Sequence, residues 1–456
     1  QTKSYIIKES STITNHINVL KDKFIVLVVR LDEQEKLSIV TQSAFDISSG
    51  TAVTASPDVW NYVDVYFEEE NGVQILKVDV VNPVEYKFKV MKTKSDKAST
   101  PLSGATITIN GEPLIKDGLS SYEITKSIKI GEKQTFYVRE NATKPGYKNI
   151  LENKYLLFNI VLTEDEKIEI ESKAIFDTSG KVPTVVSSDD PVYNYVDVYM
   201  SADSNGVQTV NIKIINPLET KFRLVKVTSD GETNLAGAKV TVNGDEVIKN
   251  GNSSYETTET MKIGDTRVYN IDELETVAGH INILENKQLV VITRMYEDEK
   301  LQIVDTMIID KKTRKTLEDS RPEYKYITTN ITTENEVQTV QVNIINPEEY
   351  NFKLYKVDKD TNEKMNEVFF DIKVVDEQNN EVELKDSKTF EPKSLKTLKT
   401  TNISGVDGVI SIDNILIEKP GTYDFIIKEY SPELYVENGE IRVRVFITND
   451  IVVNVK

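Results

Sequence analysis

Tyr86-Lys87-Phe88-Lys89-Val90-Met91-Lys92 sets a pattern that returns along the chain. It alternates. Tyr86, Phe88 and Val90 share one face of an extended strand, and Lys92 completes the row, because side chains two apart on a strand point the same way. The register recurs in Phe222, Leu224 and Lys226, and again in Tyr350, Phe352, Leu354 and Lys356. Each apolar row ends in an ammonium group aimed at the core. Burying an unpaired charge costs several kcal/mol or forces the group to neutralise, so three recurrences call for a chemical reason.

Outward from these rows the chain keeps the same period. Segments such as Val210-Asn211-Ile212-Lys213-Ile214 dominate, broken at Asn71-Gly72, Asn110-Gly111, Asn205-Gly206 and Asn243-Gly244, the dipeptides that hairpin turns prefer. Helical periodicity is confined to one short candidate, residues 392–399. The expected class is all-β. The 456 residues suffice for three or four domains. A formal charge of −19, from 74 acidic and 55 basic side chains, argues against nucleic acid or an anionic membrane as partner, since both select basic surfaces. No apolar run approaches the ~18 residues of a membrane span, so no membrane insertion is expected. No basic segment leads into an apolar one at the start, so a secretion signal is expected to be absent or already removed. Cysteine is absent, which excludes thiol chemistry and disulfides.

The chain repeats itself. Asn82-Pro83, Asn216-Pro217 and Asn346-Pro347 each follow an alternating strand and precede a lysine strand, and the asparagines lie 134 and 130 residues apart. Leu102-Ser103-Gly104-Ala105 returns as Leu235-Ala236-Gly237-Ala238, and Asn149-Ile150-Leu151-Glu152-Asn153-Lys154 as Asn282-Ile283-Leu284-Glu285-Asn286-Lys287. A period this long means globular modules in series rather than a solenoid. The expected divisions are 1–82, matching only the second half of a module, then 83–216, 217–346, and a divergent 347–456. Connections of a few residues leave little room for hinges, so an elongated, stiff rod is expected.

Two further polar residues recur in phase with apolar rows. A glutamate follows Phe136 and Val138 (Glu140), Tyr269 and Ile271 (Glu273), Tyr5 and Ile7 (Glu9), and Phe425 and Ile427 (Glu429). The asparagine follows Val210, Ile212 and Ile214 (Asn216), Val340, Val342 and Ile344 (Asn346), Val78 and Val80 (Asn82), and Val452 (Asn454). One reading is crosslinking. A desolvated lysine loses its proton and becomes a nucleophile, a desolvated glutamate keeps one and polarises the asparagine carbonyl, and attack expels ammonia to leave an amide with no charge to bury. The other reading is a buried Lys–Glu ion pair with asparagine as a hydrogen-bond partner.

The lysine strand, Leu-x-Gly-Ala, Glu140 with Pro145-Gly146-Tyr147, Lys356-Val357-Asp358-Lys359-Asp360-Thr361 and the run from Pro420-Gly421-Thr422-Tyr423 to Lys428-Glu429 together resemble the collagen-adhesin B-type (Cna B-type) and related pilin domains of Gram-positive surface proteins. The resemblance implies tandem immunoglobulin-like sandwiches, each carrying an autocatalytic Lys–Asn isopeptide bond. The implied bonds are Lys92–Asn216, Lys226–Asn346 and Lys356–Asn454, with Glu140, Glu273 and Glu429 as their acids. Glu9 and Asn82 form an incomplete site. Either the chain is truncated there, or a neighbouring subunit supplies the missing strands.

The pattern departs from the family in places. Glu140 and Asn216 lie 76 residues apart and Glu273 and Asn346 lie 73 apart, against 25 for Glu429 and Asn454. The insert carries the extra strand Asn194-Tyr195-Val196-Asp197-Val198-Tyr199, which makes Asp197 an alternative acid, although the third module has Ile327-Thr328 at that place. Met365-Asn366-Glu367-Val368 replaces Leu-x-Gly-Ala in the last module. Trp60 to Tyr66 is similar to a pilin polymerisation motif but Phe67-Glu68 follows instead of a lysine, and no C-terminal sorting motif is read. Asp203-Ser204-Asn205-Gly206 and Asp358-Lys359-Asp360 read as solvated turns rather than calcium loops. His16 and His280 read as packing positions, and Gln74, Gln208 and Gln338 as weak candidates for a Thr–Gln ester. The expectation is a secreted, wall-associated stalk of a surface adhesin or pilus-like fibre, with no cofactor, no metal and no turnover catalysis. The rival is a ligand-binding adhesin that recognises a host or cell-surface protein.

Overall fold

The computed structural model describes residues 1–53, 57–418, 421–430, 439–447 and 454–455. Among them the chain is all-β, and it divides into two compact units, Gln1–Pro217 and Leu218–Lys456.

In the first unit, residues 84–216 build two facing sheets. One places Val196–Ala202, Gln208–Asn216, Val84–Lys94 and Ser121–Ile128 side by side. The other runs from Thr184–Val185 through Ile168–Asp177, Lys154–Leu162, Lys133–Ala142 and Thr106–Ile109 to Glu112–Ile115. Tyr86, Phe88 and Val90 from the first sheet meet Phe136, Val138 and Phe158 from the second in one core. The rings of Phe88 and Phe136 lie 4.6 Å apart. The lysine strand, Val84–Lys94, runs parallel to the closing strand, Gln208–Asn216, with Lys92 opposite Ile214. Parallel neighbours that begin and end one stretch of chain place its entry and exit at opposite ends of the same sheet.

Residues 1–82 hold a smaller assembly. Thr2–Ile7, Lys23–Leu31 and Leu37–Asp46 form a three-stranded sheet, and Val63–Glu70 pairs with Val73–Val80. Leu20, Ile25, Leu27, Ala44, Val59 and Val63 form their core. Among the described residues, nothing pairs with the outer edge of Thr2–Ile7 or of Val73–Val80. Tyr5 is therefore 39% exposed and Val80 36%, where their counterparts Phe136 and Ile214 are 3% and 0%.

The second unit repeats the plan. Leu218–Val227 lies between Ser254–Met261 and the parallel Val337–Ile345, with Ile327–Glu334 outermost. The facing sheet is Asp245–Ile248, Lys239–Val242, Thr266–Glu275, Lys287–Met295 and Leu301–Asp310. Phe222 stacks on Tyr269 across the interior at 4.1 Å. Further on, Glu349–Tyr355 pairs with Val406–Leu416, and Phe369–Val375 with Gly421–Tyr430. Phe352 stacks on Phe425 at 5.3 Å.

Turn chemistry follows the dipeptides. Asn71, Asn110 and Asn243 take φ of 53°, 51° and 53°, with glycine next at 77°, 87° and 91°, the two left-handed residues that a type I′ hairpin demands. Asn205-Gly206 departs from this: only the glycine is left-handed, and Asp203 Oδ1 accepts the backbone N–H groups of Asn205 and Val207 instead. The expected helix at 392–399 is absent. Lys393 N–H donates to Leu384, Ile372 N–H donates to Leu395, and Leu398–Lys399 pairs with Phe369 and Phe370. Eight residues make a marginal helix in isolation, and these long-range backbone bonds prevail.

Candidate functional site

The lysine, glutamate and asparagine rows converge because each strand alternates into the same interior. In the first unit, Lys92 and Asn216 come from parallel neighbours in one sheet and Glu140 from the facing sheet. All three are essentially out of water, Lys92 and Asn216 at 0% and Glu140 at 3% exposure. Lys92 Nζ donates to Glu140 Oε1 and to Asn216 Oδ1. Asn216 Nδ2 donates to the same Glu140 Oε1 at 2.8 Å and to Thr143 Oγ1 at 2.6 Å. One carboxylate oxygen thus touches both nitrogens, the amine and the amide. Burial pushes the Lys92 ammonium down to about 8, against the upward pull of Glu140.

The second unit assembles the same set. Lys226 Nζ donates to Glu273 Oε1 at 2.7 Å, both side chains being fully buried. Asn346 Nδ2 donates to Glu273 Oε1 at 2.9 Å, to Thr276 Oγ1 at 3.0 Å and to the Ile281 carbonyl at 2.7 Å. Among the described residues, the buried Asn346 Oδ1 and Glu273 Oε2 find no hydrogen-bond partner. Burial lowers the Lys226 pKa, against the upward pull of Glu273.

Lys356 and Glu429 meet at 2.9 Å, with side chains 19% and 9% exposed. The Asn454 backbone pairs with Phe446 in Ile441–Ile447, and its side chain lies outside the described residues, as does Val452. Glu9 and Asn82 also meet: Asn82 Nδ2 donates to Glu9 Oε1 and, at 2.7 Å, to Thr12 Oγ1. Among the described residues, the buried Glu9 Oε2 and Asn82 Oδ1 find no hydrogen-bond partner.

Asp197 is not part of any of these sites. It sits on the outward face of Val196–Ala202, exposed, 3.4 Å from Lys173. The sequence separation of Glu140 and Asn216 has a plain cause. The chain leaves the glutamate strand, adds Lys154–Leu162 and Ile168–Asp177 to that sheet, and crosses to Val196–Ala202 before closing.

The sequence reading passed over two recurring neighbours. One is a threonine three residues after each glutamate, Thr12, Thr143 and Thr276, which receives the asparagine amide. The other is the asparagine of the Asn-x-Leu segments. Asn149 Nδ2 and Asn282 Nδ2 donate to the backbone carbonyls of Glu140 and Glu273 at 2.9 and 3.1 Å, while their Oδ1 atoms cap Leu151 and Leu284. Both are legible as Glu-x-x-Thr and Glu-x₈-Asn spacings that repeat three times.

The glutamines have another role. Gln208 Oε1 accepts from Ile168 N–H and Gln208 Nε2 donates to Glu166 carbonyl, both at 2.8 Å. Gln74 holds Leu37 and Glu35, and Gln338 holds Leu301 and Glu299, in the same way. Each bridges a closing strand to the hairpin of the facing sheet. His16 and His280 each bridge to the strand that follows the Asn-Pro pair, at Val84 and Glu348. Asp358 Oδ1 caps Asp360 and Thr361, and among the described residues no group of three or more His, Asp or Glu is placed to hold a metal. No helix among them is long and apolar enough to cross a membrane.

No protein-family profile matches the chain, and no characterised protein matches it by sequence. Among solved structures it is similar to the pilus adhesin SpaC of Lactobacillus rhamnosus GG, at 13% identity and a TM-score of 0.22, over 76% of this chain and 43% of that one. It is also similar to the TIE protein of Bacillus anthracis, at 13% identity and a TM-score of 0.22, over 93% of this chain and 57% of that one. The major pilin subunit BcpA of Bacillus cereus aligns at 13% identity and a TM-score of 0.24, over 80% of this chain and 96% of that one. The chain thus spans about half the length of the first two.

Proposed function

We propose that the chain is a structural stalk of an extracellular, wall-associated adhesin or pilus-like protein of a Gram-positive bacterium. Its repeats are Cna B-type sandwiches closed by isopeptide bonds between Lys92 and Asn216, Lys226 and Asn346, and Lys356 and Asn454. One observation carries the reading: a fully buried lysine donating to a buried glutamate oxygen that also accepts from an asparagine amide, built twice from equivalent strands. A buried ion pair alone stabilises little, because desolvation offsets the attraction. As a reaction intermediate the same arrangement has a purpose.

The chemistry follows from the shared oxygen. Lys92 Nζ passes a proton to Glu140 Oε1 and, as a free amine, attacks Asn216 Cγ. The C–Nδ2 bond breaks as Glu140 returns the proton to Nδ2, which it already contacts. The nitrogen leaves as ammonia and takes up the amine's second proton to depart as ammonium, so that the carboxylate is regenerated. The product amide carries no charge. Each glutamate acts once, so this is crosslinking and not turnover.

Mechanically, the bond would join adjacent parallel strands near the chain's exit. Tension entering at Val84 would pass through Lys92 into Asn216 and out, bypassing the residues between. Closing a loop of this length also stabilises the fold by about 5 kcal/mol if it acts on the unfolded chain as a disulfide does.

Glu9 and Asn82 are the acid and amide of a further site, completed by a lysine-bearing strand supplied from beyond these residues or by a neighbouring subunit. By the register of the complete module, that strand would lie parallel to Val73–Val80 with its lysine opposite Val80. A synthetic peptide of the Val84–Lys94 strand, incubated with the chain, is expected to give an adduct on Asn82 weighing the sum less one ammonia. Recovery of both components unmodified would remove this completion. Intact mass tests the main reading, with one ammonia lost per bond.

A further inference from the structure

Resting on the crosslinking reading, we infer that Thr143 and Thr276 are positioning residues for the leaving nitrogen, with Thr12 ready to do the same for Asn82. A primary amide has two N–H groups. In the first unit Asn216 Nδ2 spends one on Glu140 Oε1 and the other on Thr143 Oγ1, at 2.8 and 2.6 Å. The equivalent hydroxyls of Thr276 and Thr12 receive Asn346 at 3.0 Å and Asn82 at 2.7 Å. With both N–H groups taken up on that side, the amide plane is fixed so that Oδ1 of Asn216 faces Lys92. Exchanging the amide's two ends would bring Oδ1 against a carboxylate oxygen, two acceptors in contact.

The spacing explains why threonine serves. The glutamate ends its strand's inward row, and three residues later the chain has turned across the mouth of the site. A hydroxyl there accepts from the amide nitrogen, while the amide oxygen accepts from the lysine. As the C–Nδ2 bond breaks and the nitrogen gains its proton, the hydroxyl becomes an acceptor for a forming ammonium, a stronger hydrogen bond than to the neutral amide. The threonine thus helps select the reactive orientation and favours departure, while contributing no proton and no bond.

The experiment follows full-length chain made by cell-free translation, sampled over time and digested, with the Lys92–Asn216 and Lys226–Asn346 crosslinked peptides quantified separately. Thr143→Val, which keeps the shape and removes the hydroxyl, is expected to slow the Lys92–Asn216 bond by about 10- to 100-fold and to leave the Lys226–Asn346 bond at its normal rate. Thr143→Ser is expected to restore most of the rate, which a purely packing role for the methyl would not allow. Thr276→Val should slow the Lys226–Asn346 bond in the same way but by less, because the Ile281 carbonyl also accepts from Asn346 Nδ2, and it serves if Thr143→Val does not fold. Equal rates for threonine and valine, or serine as slow as valine, would overturn the inference while the crosslinking reading stands. Absence of both crosslinked peptides from the unsubstituted chain would overturn that reading itself.

Discussion

The site of Lys92, Glu140 and Asn216 and the site of Glu9 and Asn82 are the same design with and without its amine. In both, the asparagine amide donates to a glutamate oxygen and to a threonine three residues on. Where the lysine strand is present, the apolar row beside it is sealed. Where no such strand is described, Tyr5 and Val80 are partly exposed. The acid and amide therefore need no lysine to find each other. They are organised by the segment that carries the glutamate and its threonine and by the closing strand, without the lysine.

The largest test of that contrast is deletion of the amine. Lys92→Ala should cost about 5 kcal/mol of closure; in the crosslinked chain Lys92 is already an uncharged amide, so no ion pair is lost with it. Asn82→Ala should cost under about 2 kcal/mol, one amide with two hydrogen bonds at an open edge. Chemical denaturation of both variants measures the difference, and equal losses would erase the distinction between a closed and an open site.

A subtler test uses pH. Lys92 supplies the proton that Glu140 relays to the leaving nitrogen in the proposed reaction. The Lys92 ammonium is pushed down to about 8 by burial, so above that pH the pair is increasingly without a proton. The rate of Lys92–Asn216 closure should be level near neutrality and fall as pH rises through about 8. A rate that instead climbs through that range would mean that a free amine suffices and that Glu140 carries no proton.

Much of this was readable from period alone. Lys92, Asn216 and Glu140 stand in phase with apolar rows, and strand alternation fixed their direction before any contact was known. The lysine row at Tyr350, Phe352 and Leu354 read equally well, though its Lys356 is partly exposed. Thr143 could not be read from period, because it sits past the end of its strand, where period two no longer predicts direction; only the repeated Glu-x-x-Thr spacing marks it. The glutamines misled in a different way. Gln74, Gln208 and Gln338 recur as regularly as the asparagines, but their recurrence reflects backbone hydrogen bonds to a hairpin of the facing sheet, a partner no local pattern reveals. The segment 392–399 failed for the same reason, its partners Leu384, Ile372 and Phe369 being set by the sheet.

Intact-protein mass on the purified chain, with peptide mapping of Lys92–Asn216 and Lys226–Asn346, tests the central claim most directly. The mass should fall short of the sequence by at least two ammonias, and Glu140→Gln should return one of them. A chain at its full sequence mass, with Lys92 and Asn216 recovered in separate peptides, would contradict the account.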